Sequence, residues 1–239
     1  MEYYIGYLIC GLVILVAVIL SIFAQAKVNG TYNKYRNVAS PLDMTGGQLA
    51  EELAGRYGVN ITVGKCHGTL SDHYNSRTKT LAISEGNFNS NSIAAHAIVA
   101  HEFGHALQDK QGYLALKVRQ TIIRVNNFVS ALLVPMLIIG LLLDLVFFLN
   151  AGMIVIYAYI AVYGVSVIAS LVTLPVEYNA SARAKKVLTE IGCTISDEEK
   201  RPVDELLNAA AMTYVASLLV SLGFLLRAVF WLLTITQDR

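Results

Sequence analysis

Charge is scarce in this chain. Asp, Glu, Lys and Arg make up 15% of its 239 residues, while 55% are hydrophobic. That balance is too apolar for an ordinary water-soluble domain. Cysteine is nearly absent: Cys10, Cys66 and Cys193 are odd in number and form no C-x-x-C pair. No disulfide framework is indicated, as expected in a reducing compartment. The net charge of +1 comes without a basic tract, so nothing points to nucleic acid as a partner. No Lys or Arg precedes the first apolar run, which is also longer than the core of a secretory signal, so it reads as a retained anchor. The chain has no internal repeat and no low-complexity segment.

Long apolar runs are what the chain has in abundance. They extend from Tyr4 to Ala26, from about Phe128 to Leu149, from Met153 to Leu174 and from about Ala210 to Leu233. Each reaches the roughly 20 residues that cross a bilayer. Of 18 Lys and Arg, eleven lie between Lys27 and Arg124 and five between Arg183 and Arg201. With four spans both basic segments fall on one side, which the positive-inside rule makes the cytoplasm, with both termini outside. Tyr3 and Tyr4 at one outer end, and Phe230 and Trp231 at another, suit the membrane interface. Asp144 and Arg227 reach similar depth in the second and fourth spans, about 24 and 26 Å along at 1.5 Å per residue, and either pair there or snorkel independently to the interface.

The only sizeable polar region runs from Lys27 to Gly112. Thr45-Gly46-Gly47-Gln48 fits a capping box opening a helix through about Tyr57, with Leu49, Ala50, Leu53 and Tyr57 on its apolar face. Val59 to Val63 and Lys79 to Ser84 alternate like strands, with a turn at Asn75-Ser76-Arg77 before the second. An Ala- and Ile-rich helix follows, with Asn89, Ser90 and Ser92 as N-cap candidates and Gly112 as its stop. Leu116 to Asn127 reads either as an amphipathic approach to the membrane or as a plain continuation of the second span.

That Ala-rich helix carries His101-Glu102-Phe103-Gly104-His105, the H-E-x-x-H pattern of zinc-binding helices. Residues four apart share a helix face, so both imidazoles can bind one metal. Glu102 is rotated slightly off that face and can reach a water there, as a general base must. Zinc in a catalytic site takes a third protein ligand. His96 lies five residues before His101 and points to another face, and His67 and His73 fall in the sheet region. Glu177 follows the third span, after Pro175. A carboxylate in a first helical turn also simply favours a helix start, so local sequence leaves its role open between the two.

The chain resembles the YugP-type family of membrane-associated neutral zinc metallopeptidases. The resemblance rests on Gly68-Thr69-Leu70-Ser71-Asp72-His73-Tyr74-Asn75, on Leu81 to Ser84, on Ala94 through Gln108, and on Leu174-Pro175-Val176-Glu177-Tyr178-Asn179-Ala180-Ser181. It implies Glu177 as the third zinc ligand beside His101 and His105, in the manner of gluzincins. Membrane zinc proteases of this layout often carry an Asp four residues after the ligating Glu, as a partner for a ligating His. Ser181 stands there, and Asp109 is a second candidate for that role. Where the family pattern commonly has an Asp-Pro pair after the tyrosine, this chain has Asn75-Ser76.

The resemblance implies Zn2+ as cofactor and a zinc endopeptidase in which Glu102 is the base. His73, Tyr74 and Tyr178 are the candidates for oxyanion or substrate contact. The expected fold is a mainly α membrane protein, with about four transmembrane helices and a small α+β zincin-like cytoplasmic catalytic region. The expected organisation is an anchor at 1–26, a catalytic region at 27–127, a transmembrane hairpin at 128–174, a cytoplasmic helical segment with the third ligand at 175–208 and a last span at 209–239. Membrane lipid surrounds such a chain. Its expected substrates are membrane proteins or juxtamembrane peptides, and a homo-oligomer or a membrane partner protein is compatible with it. The competing reading is a non-catalytic membrane scaffold or regulator with a vestigial zinc site. A transporter finds support only in Asp144 and Arg227.

Overall fold

The computed structural model describes residues 2–147 and 152–237. Helix α1 (Glu2–Tyr35) is followed by α2 (Gly46–Arg56), then by strands β1 (Thr62–Cys66), β2 (His73–Asn75) and β3 (Thr80–Ser84). The short α3 (Glu85–Phe88) leads into α4 (Ile93–Lys110), and α5 (Leu114–Phe147), α6 (Gly152–Glu190) and α7 (Asp197–Gln237) complete the described chain. Four of these helices, α1, α5, α6 and α7, are long and apolar enough to cross a membrane. The chain forms two compact units. One comprises Met1–Phe23, Val118–Leu174 and Thr213–Arg239, the other Ala24–Lys117 and Pro175–Met212.

In the first unit, small residues allow close helix contact. Gly6 of α1 lies against the Phe230 ring of α7, and Gly223 of α7 against Ile14 of α1. Tyr163 of α6 stacks on Phe224 of α7 with centroids 5.0 Å apart. Leu8, Leu12, Leu15 and Ile19 are exposed, as apolar side chains in contact with lipid would be. Arg227 packs over the Tyr7 ring and donates a 2.8 Å hydrogen bond to its hydroxyl. The side chains of Asp144, Tyr3 and Tyr4 lie outside the described residues.

The second unit has a conventional core of Leu49, Leu53, Leu81, Ile83, Phe103 and Leu188. Its α2 begins with the expected capping box, Thr45 and Gln48 exchanging side-chain to backbone bonds. The sheet has the order β1-β3-β2, with β1 parallel and β2 antiparallel to β3, so β2 is an edge strand. The first strand starts three residues later than the alternation from Val59 suggests. Val59 still belongs to the exit from α2, its N–H bonded to the Ala54 carbonyl, and ladder pairing begins at Thr62. Strand β2 was not expected as a strand. It is only three residues long and polar, and it exists through pairing with β3.

Ser92 caps α4, its hydroxyl accepting from the Ala95 N–H. The helix stops in a Schellman motif: Tyr113 N–H reaches the Gln108 carbonyl and Gly112 N–H the Asp109 carbonyl. Gly112 has φ +67°, where a Cβ would be strained. Leu116 to Asn127 turns out to be a plain part of α5. No new helix starts at Pro175, because α6 runs through it without a break. Proline withholds a single N–H from the Leu171 carbonyl, and the bonds on either side carry the helix on.

Candidate metal centre

The site is built where α4 meets the Pro175–Glu190 part of α6. His101 and His105 are one turn apart on α4, and Glu177 and Ser181 are one turn apart on α6, so each helix offers one face. Close approach depends on Gly104, between the two histidines. A Cβ there would lie 2.6 Å from the Ala180 carbonyl oxygen, so only glycine lets the helix backbones come this near. The buried Glu177 carboxylate therefore reaches both rings. Its Oε2 lies 3.2 Å from His101 Nε2 and 3.6 Å from His105 Nε2.

The remaining ring nitrogens are both hydrogen-bonded, and at His105 the partner settles the tautomer. His105 Nδ1 is 3.0 Å from Gln108 Oε1. The Gln108 amide nitrogen donates to the Val176 carbonyl (2.8 Å) and to Asn179 Oδ1 (3.0 Å). A backbone carbonyl can only accept, so Gln108 must present its oxygen to His105, and His105 must carry its hydrogen on Nδ1. Its Nε2 then points a lone pair at the site. His101 Nδ1 is 3.2 Å from Ser181 Oγ, which holds that ring with Nε2 toward Glu177. Arg183 donates 2.7 Å bonds to Asn179 Oδ1 and Gln111 Oε1, bracing the Gln108 side of the network.

Glu102 lies beside this cluster, with one carboxylate oxygen accepting 3.0 Å from the Tyr74 backbone N–H of β2. Burial pushes its carboxyl up to about 7; His101 opposes the shift and the Glu177 carboxylate adds to it. A divalent cation between the histidines would draw it back down.

The donor set suits zinc. Two imidazole nitrogens and one carboxylate oxygen lie within 4.8 Å of one another. Ligands about 2.0–2.2 Å from a tetrahedral zinc stand about 3.3–3.5 Å apart, close to the spacing of Glu177 from each imidazole. Hydrogen bonding of each ligating ring through its other nitrogen is the usual arrangement at such sites.

The chain matches, over residues 10–233, the family described as "Putative neutral zinc metallopeptidase". It belongs to that family. It is 37% identical over 211 residues to "Putative membrane protease YugP" of Bacillus subtilis, covering 88% of this chain and 90% of that protein. No solved structure matches. Zinc is the metal this family implies, and among the described residues His101, His105 and Glu177 form a possible site for it.

The other candidates fall in several places. Ser181 is at His101, as described. Asp109 is not at His105: its carboxylate accepts from the Tyr74 hydroxyl (2.7 Å) and pairs with Lys79. The residue at His105 is Gln108, which sequence reading missed. Its spacing of three from His105 was a usable signal, outweighed by the expectation of a carboxylate. A carboxylate there could not donate to Val176 and Asn179 as the amide does. The Tyr74 hydroxyl is committed to Asp109, and only its backbone N–H reaches Glu102. His73 is exposed, with Nδ1 2.9 Å from the Ser71 carbonyl oxygen, and Tyr178 is also exposed. His96 is fully buried between Ser40 and the Met44 carbonyl, away from the cluster.

Proposed function

We propose that this protein is a membrane-bound zinc-dependent endopeptidase, and that it cleaves membrane proteins or their juxtamembrane segments at the cytoplasmic membrane surface. The observation that carries this reading is the convergence of His101, His105 and Glu177, with Glu102 one residue from the first ligand and both histidines held through Nδ1. A zinc ion held there would lower the pKa of a bound water to about 7 and polarise a scissile carbonyl. Glu102 accepts the proton of the attacking water and returns it to the leaving amine. Tyr74 N–H holds Glu102 in place. His73 and Tyr178, both open to solvent, are the side chains placed to meet the substrate or its oxyanion. The outer edge of β2 lies beside the helix that carries Glu102, and an extended peptide that pairs there would compete with Glu102 for the Tyr74 N–H.

The cytoplasmic orientation rests on the basic residues of the two polar segments. Membrane-delivered substrates are favoured because Glu177 follows the last residue of an apolar run, Leu174, by three positions. The test is zinc content and peptide cleavage of purified wild type, Glu177→Ala and Glu102→Gln. We expect about one zinc per chain in wild type and in Glu102→Gln, with little in Glu177→Ala. Cleavage should be confined to wild type, Glu102→Gln losing about 100- to 10,000-fold. A zinc-loaded wild type that cleaves nothing would favour the scaffold reading. Labelling from outside the cell of cysteines placed at Arg77 and at Thr236 checks orientation. Arg77→Cys should stay protected and Thr236→Cys should react.

A further inference from the structure

The membrane-spanning unit holds a half-open cavity of about 440 Å³ between α5, α6 and α7. Its lining is unusually polar for helices of this composition, and includes Asn126, Asn127, Ser166, Ser170, Ser217 and Ser221. Several of these groups already have partners. The Ser166 hydroxyl lies 2.7 Å from Asn126 Oδ1, Thr173 donates to the Ala169 carbonyl, and Ser221 donates to the Leu218 carbonyl. Bonded in this way, Thr173 and Ser221 still offer oxygen lone pairs as acceptors. Among the described residues, no hydrogen bond engages the amide hydrogens of Asn126 and Asn127 or the hydroxyls of Ser170 and Ser217. The cavity therefore presents both donors and acceptors within helices otherwise suited to hydrocarbon.

We infer that this cavity receives the unwound backbone of a membrane-inserted substrate segment, one whose span is interrupted by Gly, Pro or polar residues. An intact helix satisfies its own backbone in lipid and has no use for such a lining. A stretch that has left the helical state exposes N–H and C=O groups, which cannot stay unpaired at membrane depth. A peptidase needs that state, because an extended chain pairs with a sheet edge only once its backbone groups are free. Asn and Ser side chains supply what a helix would have supplied, and do so without reading side-chain identity. The volume suits this use, being many times what one water needs and large enough for a short length of chain that displaces the water there. The inference rests on the peptidase reading and names the feature that would make a membrane segment a substrate.

The test uses the full chain, zinc-loaded, in phosphatidylcholine–phosphatidylglycerol vesicles. Two single-span peptides share one cleavage sequence, one with a Gly-Pro interrupted span and one with an unbroken Leu span. A photoreactive side chain at position 217 in Glu102→Gln protein should crosslink the interrupted span about tenfold more than the Leu span. Equal or absent crosslinking would overturn the inference and leave a cavity that holds only water. In the active protein, Ser170→Leu and Ser217→Leu should lower the rate on the interrupted span, relative to a water-soluble peptide of the same sequence, by about tenfold. Zinc content at the wild-type level would show that these variants fold, and an unchanged ratio in folded variants would count against the cavity. A zinc-loaded wild type that cleaves neither peptide defeats the peptidase reading. The crosslink still decides separately whether the cavity binds such a segment.

Discussion

Gln108 shows how much depends on a single amide. It accepts from His105 with its oxygen and donates to α6 with its nitrogen, so it fixes the ring's tautomer and its position together. Gln108→Ala should weaken zinc binding by about 10- to 100-fold, measured by competition with a chromophoric chelator. Ser181→Ala should act in the same direction through His101. Asp109→Asn should leave zinc affinity within about twofold, because Asp109 serves Tyr74 and Lys79 and not a ligand ring. Equal losses in Gln108→Ala and Asp109→Asn would contradict this division of roles. His96 makes a separate prediction. Burial between Ser40, the Met44 carbonyl and Cys193 lowers its pKa below the ordinary 6.5. The unfolded chain binds a proton at this residue as pH falls through about 6.5, and the folded chain resists it. Stability should therefore fall below about pH 6.5, by at most about 1.4 kcal/mol per pH unit from this group, and be insensitive to it above. Melting curves of wild type and His96→Gln from pH 7.5 to 5.5 should diverge in that sense, with the flatter dependence in the variant.

At the scale of elements, the decisive contact is the crossing of α4 and α6. Gly104→Ala would drive a methyl into the Ala180 carbonyl. Separating the helices to accommodate it should cost about 1–3 kcal/mol and move Glu177 away from both imidazoles. Thermal unfolding and zinc content should fall together in this variant, and a variant with full zinc and an unchanged melting temperature would refute the close-approach account. Individual elements differed in how legible they were. The capping box of α2 and the stop at Gly112 were readable because each depends on a local side chain or backbone preference. The boundary of β1 was not, because alternation continues through the exit from α2 and only pairing with β3 fixes its start. The continuity of α6 through Pro175 was missed for a related reason. Local rules penalise proline, and the rest of a long helix outweighs one missing hydrogen bond.

For the whole molecule, the four helices among the described residues that are long and apolar enough to cross a membrane make a chain whose stability must be measured in lipid or detergent. A metal that binds only the folded state stabilises it by mass action, by about 2.7 kcal/mol at a hundred times its dissociation constant. Removing zinc with a chelator should lower the melting temperature of wild type and restore it on zinc addition. The same treatment should leave Glu177→Ala almost unchanged. A wild type indifferent to chelation would mean that His101, His105 and Glu177 hold no ion.

The sequence alone determined the apolar, membrane-type character of the chain and the helix bearing His101, Glu102 and His105, and, through family resemblance, it named Glu177 as a candidate third ligand. Each of these is written in composition, in a four-residue period or in a contiguous motif, and needs no knowledge of distant contacts. Tertiary structure alone decided that Gln108 partners His105 while Asp109 turns to Tyr74, that Tyr74 N–H reaches Glu102, and that Gly104 meets Ala180. Gln108 and His105 are only three residues apart on α4, but the amide's orientation is set by Val176 and Asn179 of α6. The other contacts join segments about 30 to 80 residues apart, and side-chain direction at such range is set by packing, which no local pattern encodes.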